Sequence, residues 1–241
     1  MTDLEKAAKL LAKAGSVAVL TGAGISAESG IPTFRGLGGL WNGRDPMSLA
    51  TPQAFAANPA LVWEFYNWRR ELVTRAEPNP GHRALTELAG KLTCFTLVTQ
   101  NVDRLHQRAG SRDVLELHGN LFEVRCTGCG QTFDRDGETL PPLPHCEVCG
   151  QLLRPGVVWF GETLPPAIWE AAEAAVRQAR LLLVVGTSAV VYPAAGLVAT
   201  AQSAGGAVIE INLEPTPISD EVDLALHGKA AAILPLLTDL L

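Results

Sequence analysis

The chain has no apolar run long enough to cross a membrane. A spanning helix needs roughly 18 consecutive apolar residues, and the longest strong run, Leu181–Val185, is strand-sized. The start, Met1-Thr2-Asp3-Leu4-Glu5-Lys6, lacks a basic segment followed by an apolar one, so no secretory leader is expected and a cytoplasmic location is. An excess of cations is also missing. Lys and Arg number 19 against 25 Asp and Glu, a net charge of −6, which argues against affinity built on neutralising nucleic-acid phosphates and against a polybasic membrane anchor. Charged residues are few at 18% while hydrophobic ones reach 47%, a balance that excludes a disordered chain. Internal repeats and low-complexity linkers are absent. A body of 241 residues buries roughly 70% of its unfolded surface or more, so one large domain with at most a small annex is expected.

Cysteine is scarce but placed with a pattern. Five thiols, an odd number, make a poor disulfide framework. Cys126 and Cys129 form one CxxC pair and Cys146 and Cys149 another, with 16 residues between the pairs. That spacing reads as a four-thiolate zinc site, structural because four ligands close the tetrahedron; unrelated redox dithiols are the alternative. Gly130 and Gly150 follow the second cysteine of each pair and allow a tight turn. Cys94 stands alone in an apolar run and is expected to be a buried, inert thiol.

Thr2 and Glu5 have capping-box spacing, and Leu4, Ala7, Ala8 and Leu11 recur at helical period until Gly15. An opening helix of about three turns is predicted. Short apolar runs at 17–20, 93–98, 114–117, 181–185 and 207–211 lack clean alternation and suit strands buried on both faces. Alanine-rich helical stretches at 166–180 and 193–204, each with Pro near its start, lie between the later runs. The pattern is α/β: a Rossmann-like, doubly wound parallel sheet. Residues 36–79 interrupt it as a helical insertion and 119–153 as a cysteine-bearing, Pro-rich one, neither with a sheet-forming pattern of its own. The main body would then comprise 1–35, 80–118 and 154–241, and the two insertions a small second domain.

In open parallel sheets, ligands bind beyond the carboxyl ends of the strands. Every long apolar run here is followed by small or polar residues: Thr21-Gly22-Ala23-Gly24-Ile25-Ser26, Thr99-Gln100-Asn101-Val102-Asp103, Gly186-Thr187-Ser188 and Asn212-Leu213-Glu214. The first resembles a dinucleotide loop, whose glycines admit a pyrophosphate. Ala27 replaces the third Gly of GxGxxG, so taken alone the segment reads equally as a plain strand-to-helix turn.

Taken in order, the motifs resemble those of the sirtuins, the NAD-dependent protein lysine deacylases. The likeness rests on Gly22-Ala23-Gly24-Ile25-Ser26-Ala27-Glu28-Ser29-Gly30-Ile31-Pro32-Thr33-Phe34-Arg35, Thr99 to Asp103, His118-Gly119-Asn120, the CxxC pairs, Val157-Val158-Trp159-Phe160-Gly161-Glu162 and Gly186-Thr187-Ser188. It runs from about residue 15 to 230. Thr33 stands where many sirtuins have Asp, a form similar to the bacterial-type subgroup that removes acidic acyl groups. The resemblance implies that the acyl-lysine amide oxygen attacks C1′ of NAD, expelling nicotinamide and leaving an alkylimidate. His118 would be the general base for a ribose hydroxyl, with Asn101 the second catalytic residue. Gly22, Ala23, Gly24, Ile25 and Glu28 would form the NAD turn, and Phe34 and Arg35 its covering loop. Gln100, Asn101, Val102 and Asp103 would take the ribose and the carboxamide of nicotinamide. Gly186, Thr187, Ser188, Asn212, Leu213, Glu214 and Ala230 would take the phosphate and adenosine side. Acylated lysine side chains would be the partner, their peptide lying extended against Val158, Phe160, Gly161 and Glu162. One structural Zn2+ would sit on the four cysteines, and the chain would act as a monomer.

The acyl group is read from the insertion. Tyr66 and Arg69 stand at i and i+3 of a predicted helix, where a phenol and a guanidinium jointly suit a carboxylate. In the sirtuins that remove succinyl and malonyl groups such a pair does this, and Ala50 matches the small residue that leaves room for the longer chain. The competing readings are a packed Tyr66 with a solvated Arg69, and Arg70 in place of Arg69. Succinyl and acetyl removal is the expected activity. ADP-ribosyl transfer to protein, a nicotinamide-dependent dehydrogenase and a non-catalytic zinc-ribbon module are the rivals.

Overall fold

Thr2 opens the first helix through the reciprocal bonds its spacing predicts. Its hydroxyl accepts from the Glu5 N–H at 3.2 Å and the Glu5 carboxylate accepts from the Thr2 N–H at 2.8 Å. Gly15, at φ 68°, ends it. A computed structural model describes residues 1–33 and 45–241. Its elements in chain order are α1 Asp3–Ala14, β1 Ser16–Thr21, α2 Pro52–Ala57, α3 Pro59–Arg75, α4 Pro80–Lys91, β2 Cys94–Thr99, α5 Leu105–Arg108, β3 Leu115–Glu116, β4 Gly119–Cys126, β5 Thr132–Asp134, β6 Leu153–Val157, α6 Pro166–Gln178, β7 Leu181–Val185, α7 Gly196–Ser203, β8 Ala207–Asn212, β9 Leu224–His227 and α8 Ala230–Asp239. A 3-10 helix, Ala23–Ser29, follows β1 directly.

Six strands form a parallel sheet in the order β3-β2-β1-β7-β8-β9. The strand order reverses direction at β1, between β2 and β7, which puts the switch point beside the glycine turn. The absence of alternation in the strands has its cause here. In β7, Leu181, Leu183 and Val185 pack with α1, α4 and α8, whereas Leu182 and Val184 face α6 and α7. Both faces are covered, so every position is apolar.

A second core holds the insertions. Trp63, Phe65, Tyr66 and Val73 of α3 pack with Leu121, Phe122 and Val124 of β4 and with Leu153 and Val157 of β6. The helical character expected of 36–79 is borne out over its described part. The expectation that the cysteine-bearing insertion has no sheet pattern is corrected: β5, β4 and β6 make an antiparallel sheet of three strands. Buried Leu121, Phe122 and Val124 do not alternate cleanly because the pairing of β4 with β6 shifts register between Gly119 and Val124. Cys94 is also corrected. It is exposed, because β2 enters the sheet from solvent and becomes buried only over its last three residues.

Candidate functional site

Two backbones meet at the switch point closely enough to require glycine on both sides. Gly24 N–H donates to the Gly186 carbonyl at 2.7 Å and Gly22 N–H to the Val185 carbonyl at 3.0 Å. A Cβ on Gly24 would lie 2.7 Å from Gly186 Cα, and Gly186 itself has φ 60°. The glycines of the first turn therefore serve this interlock as well as any ligand. Around it opens a cleft of about 890 Å³ that runs from Ala50, Tyr66 and Arg69, past His118, to Asn212, Leu213 and Glu214, a size suited to a dinucleotide-sized molecule with a second substrate.

A small recess lined by Ser26, Asn101, Val102, Asp103 and Arg69 adjoins the cleft floor. Asn101 Nδ2 donates to the Gly22 carbonyl at 3.1 Å and to Ser26 Oγ at 3.2 Å. Ser26 Oγ donates to Asp103 Oδ2 at 2.7 Å, and Asp103 Oδ1 accepts the Leu105 N–H at 2.9 Å. With both amide hydrogens used, the carbonyl oxygen of Asn101 is the group left to face a ligand. Burial raises the Asp103 carboxyl above its usual range, against the bonds from Leu105 and Ser26 and the charge of Arg69.

His118 sits where β3 gives way to β4, its Nδ1 3.0 Å from the Gln100 carbonyl. A carbonyl only accepts, so Nδ1 carries the hydrogen and Nε2 keeps its lone pair. Burial lowers the imidazole below its usual pKa, opposed by the Gln100 bond, and the ring is neutral at pH 7. Gln100 Nε2 in turn donates to Thr187 Oγ1 at 3.0 Å, tying the β2 and β7 ends together.

At the insertion end, Tyr66 and Arg69 are buried on α3 and line the cleft, with the guanidinium carbon 5.5 Å from the phenol ring centre. Arg70 points elsewhere. Its guanidinium donates to the Leu121, Arg135 and Glu138 carbonyls at 2.6, 2.7 and 3.0 Å, clamping α3 to the small sheet. Ala50 lines the cleft and its carbonyl accepts the Phe160 N–H at 2.9 Å. Val158, Phe160, Gly161 and Glu162 line it too, but the Glu162 carboxylate is taken by Arg154 at 2.5 and 2.9 Å and by the Trp159 N–H at 2.8 Å. Burial opposes that carboxylate's charge, but these bonds prevail and hold it below its usual range.

At the other end Gly186, Thr187, Ser188 and Ala230 line the cleft. Glu28 lines it as well, with its carboxylate accepting the Ala231 N–H at 3.0 Å and lying 3.7 Å from Lys229 Nζ. Ile25 does not reach the cleft: it is wholly buried in the main core, and its carbonyl accepts from Asn79. Phe34 and Arg35 lie outside the described residues. Three side chains went unassigned in the sequence: Ser26, whose hydroxyl links Asn101 to Asp103; Lys229, hidden between apolar and small residues; and Trp159, which reads as one more aromatic in a strand-like string.

The four sulfurs of Cys126, Cys129, Cys146 and Cys149 lie within 4.8 Å of one another. Their nearest approaches are 3.3 Å for Cys126 to Cys149 and 3.8 Å for Cys129 to Cys146. A tetrahedral zinc with Zn–S of about 2.3 Å sets its sulfurs about 3.8 Å apart. The Gly128 and Cys129 N–H groups point at Cys126 Sγ, as thiolates need, and the donor set fits a structural zinc.

A crevice at the switch point of a doubly wound sheet is where such folds take dinucleotides, and one furnished with a neutral imidazole and a buried amide recess belongs to an enzyme that works on what it binds. The chain belongs to the Sir2 family, whose family model matches residues 22–193. It is 53% identical to NAD-dependent protein deacylase 1 of Archaeoglobus fulgidus over 95% of this chain and 94% of that one. It is 50% identical to the NAD-dependent protein deacylase of Thermus thermophilus, over 98% and 94%. Among solved structures, a Sir2 homologue in complex with ADP-ribose superposes with a TM-score of 0.93 at 50% identity, covering 98% of this chain and 95% of that one. A Sir2 homologue–NAD complex gives 0.91 at 51% identity, covering 98% and 93%.

Proposed function

We propose that the chain is an NAD-dependent protein lysine deacylase that removes succinyl and malonyl groups as well as acetyl. The names of its relatives and the NAD and ADP-ribose complexes of its structural neighbours support the first part. The observation that carries the second is the placement of Tyr66 and Arg69 in the same cleft as His118.

NAD lies across the switch point, its phosphates against the turn at Gly22 to Gly24 and against Gly186, Thr187 and Ser188, its adenosine toward Asn212 to Glu214. Its nicotinamide enters the recess at Asn101 and Asp103. The acyl-lysine carbonyl oxygen displaces nicotinamide at C1′, forming one C–O bond as the C–N bond breaks. Because an amide oxygen is a weak nucleophile, the site contributes mainly alignment of the two reactants and charge stabilisation. Nε2 of His118 then accepts a proton from a ribose hydroxyl, which attacks the former acyl carbon; the C–N bond to lysine breaks as the amine leaves with a proton, and a water molecule adds to the resulting cyclic cation, opening it to the O-acyl ester. The products are nicotinamide, O-acyl-ADP-ribose and free lysine. One zinc on the four cysteines holds the small sheet and takes no part in these steps.

Arg69 stays charged in its buried place because Tyr66 and Asp103 face it, although burial lowers its pKa. It meets an acyl carboxylate with the Tyr66 hydroxyl. Turnover of acetyl-, malonyl- and succinyl-lysine peptides with NAD, read by mass analysis of the products, tests the reading. Arg69→Met should lower kcat/KM on succinyl peptide about 10- to 150-fold more than on acetyl peptide, the range set by one charged hydrogen bond. Equal losses would remove the carboxylate clamp. ADP-ribose on protein in place of O-acyl-ADP-ribose would overturn the deacylase reading itself.

A further inference from the structure

Trp159 lies beside the acyl end of the cleft without a charge or a lone pair to offer. Its ring is 3% exposed, and its indole Nε1 is 2.9 Å from the Tyr66 hydroxyl. An indole N–H only donates, so the phenol oxygen must accept this bond. The Arg69 guanidinium carbon lies 5.5 Å from the centre of the same phenol ring. With Trp159 donating to it, the phenol oxygen is engaged as an acceptor on that side and keeps its single O–H to give away. Tyr66 lines the cleft, where the carboxylate of an acyl group would accept that proton.

The ring that imposes this direction is itself fixed from several sides. The Arg154 guanidinium carbon lies 3.5 Å from its centre, and Phe55 packs against it with ring centres 5.4 Å apart. Its backbone N–H is bound by Glu162, which Arg154 holds through two bonds. Arg154 also donates to the Val157 carbonyl at 3.0 Å. Burial keeps the Tyr66 phenol protonated, its pKa raised despite Arg69 and Trp159.

We infer that Trp159 is a positioning residue for acyl selectivity: its indole N–H turns the Tyr66 hydroxyl into a donor aimed at the carboxylate of an acidic acyl group. The inference rests on the desuccinylase reading above. A neutral acetyl group offers no acceptor at that distance from the lysine, so the effect is specific to the longer, charged acyl chain.

Trp159→Phe retains a ring between Phe55 and Arg154 and removes the donor; benzothienylalanine at the same position keeps the full bicyclic shape and also lacks the N–H. In either variant the ratio of kcat/KM on succinyl peptide to that on acetyl peptide should fall about 3- to 10-fold, the range of one neutral hydrogen bond. In a Tyr66→Phe background the same replacement should leave the ratio unchanged, because no hydroxyl remains to be oriented. An unchanged ratio in the benzothienylalanine protein, or an equal further fall without Tyr66, would overturn the role of Trp159 while leaving the carboxylate clamp standing. A wild-type enzyme with no turnover of succinyl peptide would instead remove the clamp, and with it the substrate this hydroxyl serves.

Discussion

The Nδ1 hydrogen of His118 is committed to the Gln100 carbonyl, so a second proton must go to Nε2, inside the cleft. Burial opposes that charge and sets the pKa below 6.5. The neutral base therefore persists as pH falls through 6.5, and the acid limb of kcat/KM for deacylation should lie below that value. An acid limb at or above 6.5 would deny His118 the proton-accepting step. His118→Tyr should lower turnover by about 10²- to 10⁴-fold with the zinc still bound, as a metal assay of the purified variant would read. His118 was legible because a His-Gly-Asn string stood in an ordered set of motifs. Trp159 was not, since nothing in an aromatic residue between Val158 and Phe160 tells which atom its N–H meets. Arg69 and Arg70 are neighbours in sequence and were separable only once α3 directed one into the cleft and the other onto three carbonyls. Cys94 misled for a related reason: an apolar run does not tell which of its ends meets solvent.

At the scale of elements, β8 ends in a hook. Glu210 is buried at 1% exposure, and its two carboxylate oxygens accept from the Thr216 and Ser219 hydroxyls, each at 2.5 Å. The turn they hold spans Asn212 to Pro217, which line the end of the cleft proposed above for adenosine. Glu210→Gln replaces one acceptor oxygen by an NH₂ that no longer suits a donating hydroxyl, so the turn loses an anchor far from the reacting carbon. KM for NAD should rise about 5- to 10-fold, as one charge-assisted bond is worth, with kcat within about twofold of wild type. Equal changes in both, from saturation kinetics with acetyl peptide, would place the defect in the chemistry and count against the hook. The principal strands of the large sheet were legible because burial on both faces makes their runs continuous. β9 was not: its Leu224-Ala225-Leu226-His227 is a short edge strand with only Leu226 buried. The small sheet escaped notice because its strands are shaped by the cysteine turns and a register shift, which leave no periodic pattern.

Beneath the recess at Asn101 and Asp103, two histidines join the layers of the whole molecule. His106 Nε2 lies 2.9 Å from Thr21 Oγ1, whose own hydrogen goes to Thr99 Oγ1 at 2.8 Å, so the imidazole donates. His82 Nδ1 accepts the Asn79 N–H at 3.3 Å, and the two rings meet edge to face at 4.9 Å. Both rings sit where a second proton is resisted: His106 Nδ1 has no hydrogen-bond partner among the described residues, and His82 Nδ1 is already filled by a donor. Burial, with Arg83 adding to it, lowers the His82 pKa to about 4, and burial next to His82 lowers that of His106 well below 6.5. Below pH 6.5 the unfolded chain takes up protons that the folded one refuses, so unfolding free energy is full above 6.5 and declines as pH falls toward 4. At pH 5 His82 removes about 2 kcal/mol relative to pH 7, and His106 acts in the same direction. Urea unfolding at the two pH values should show this loss, and His106→Asn should shrink the difference whatever its effect on stability at pH 7. An unaltered difference in that variant would mean that the buried pair does not govern the acid stability of the fold. Because His82 also approaches Ser26 Oγ, at 3.4 Å, the same protonation would reach the Ser26–Asp103 bond. Acid should therefore weaken the recess at Ser26, Asn101 and Asp103 before the rest of the sheet gives way.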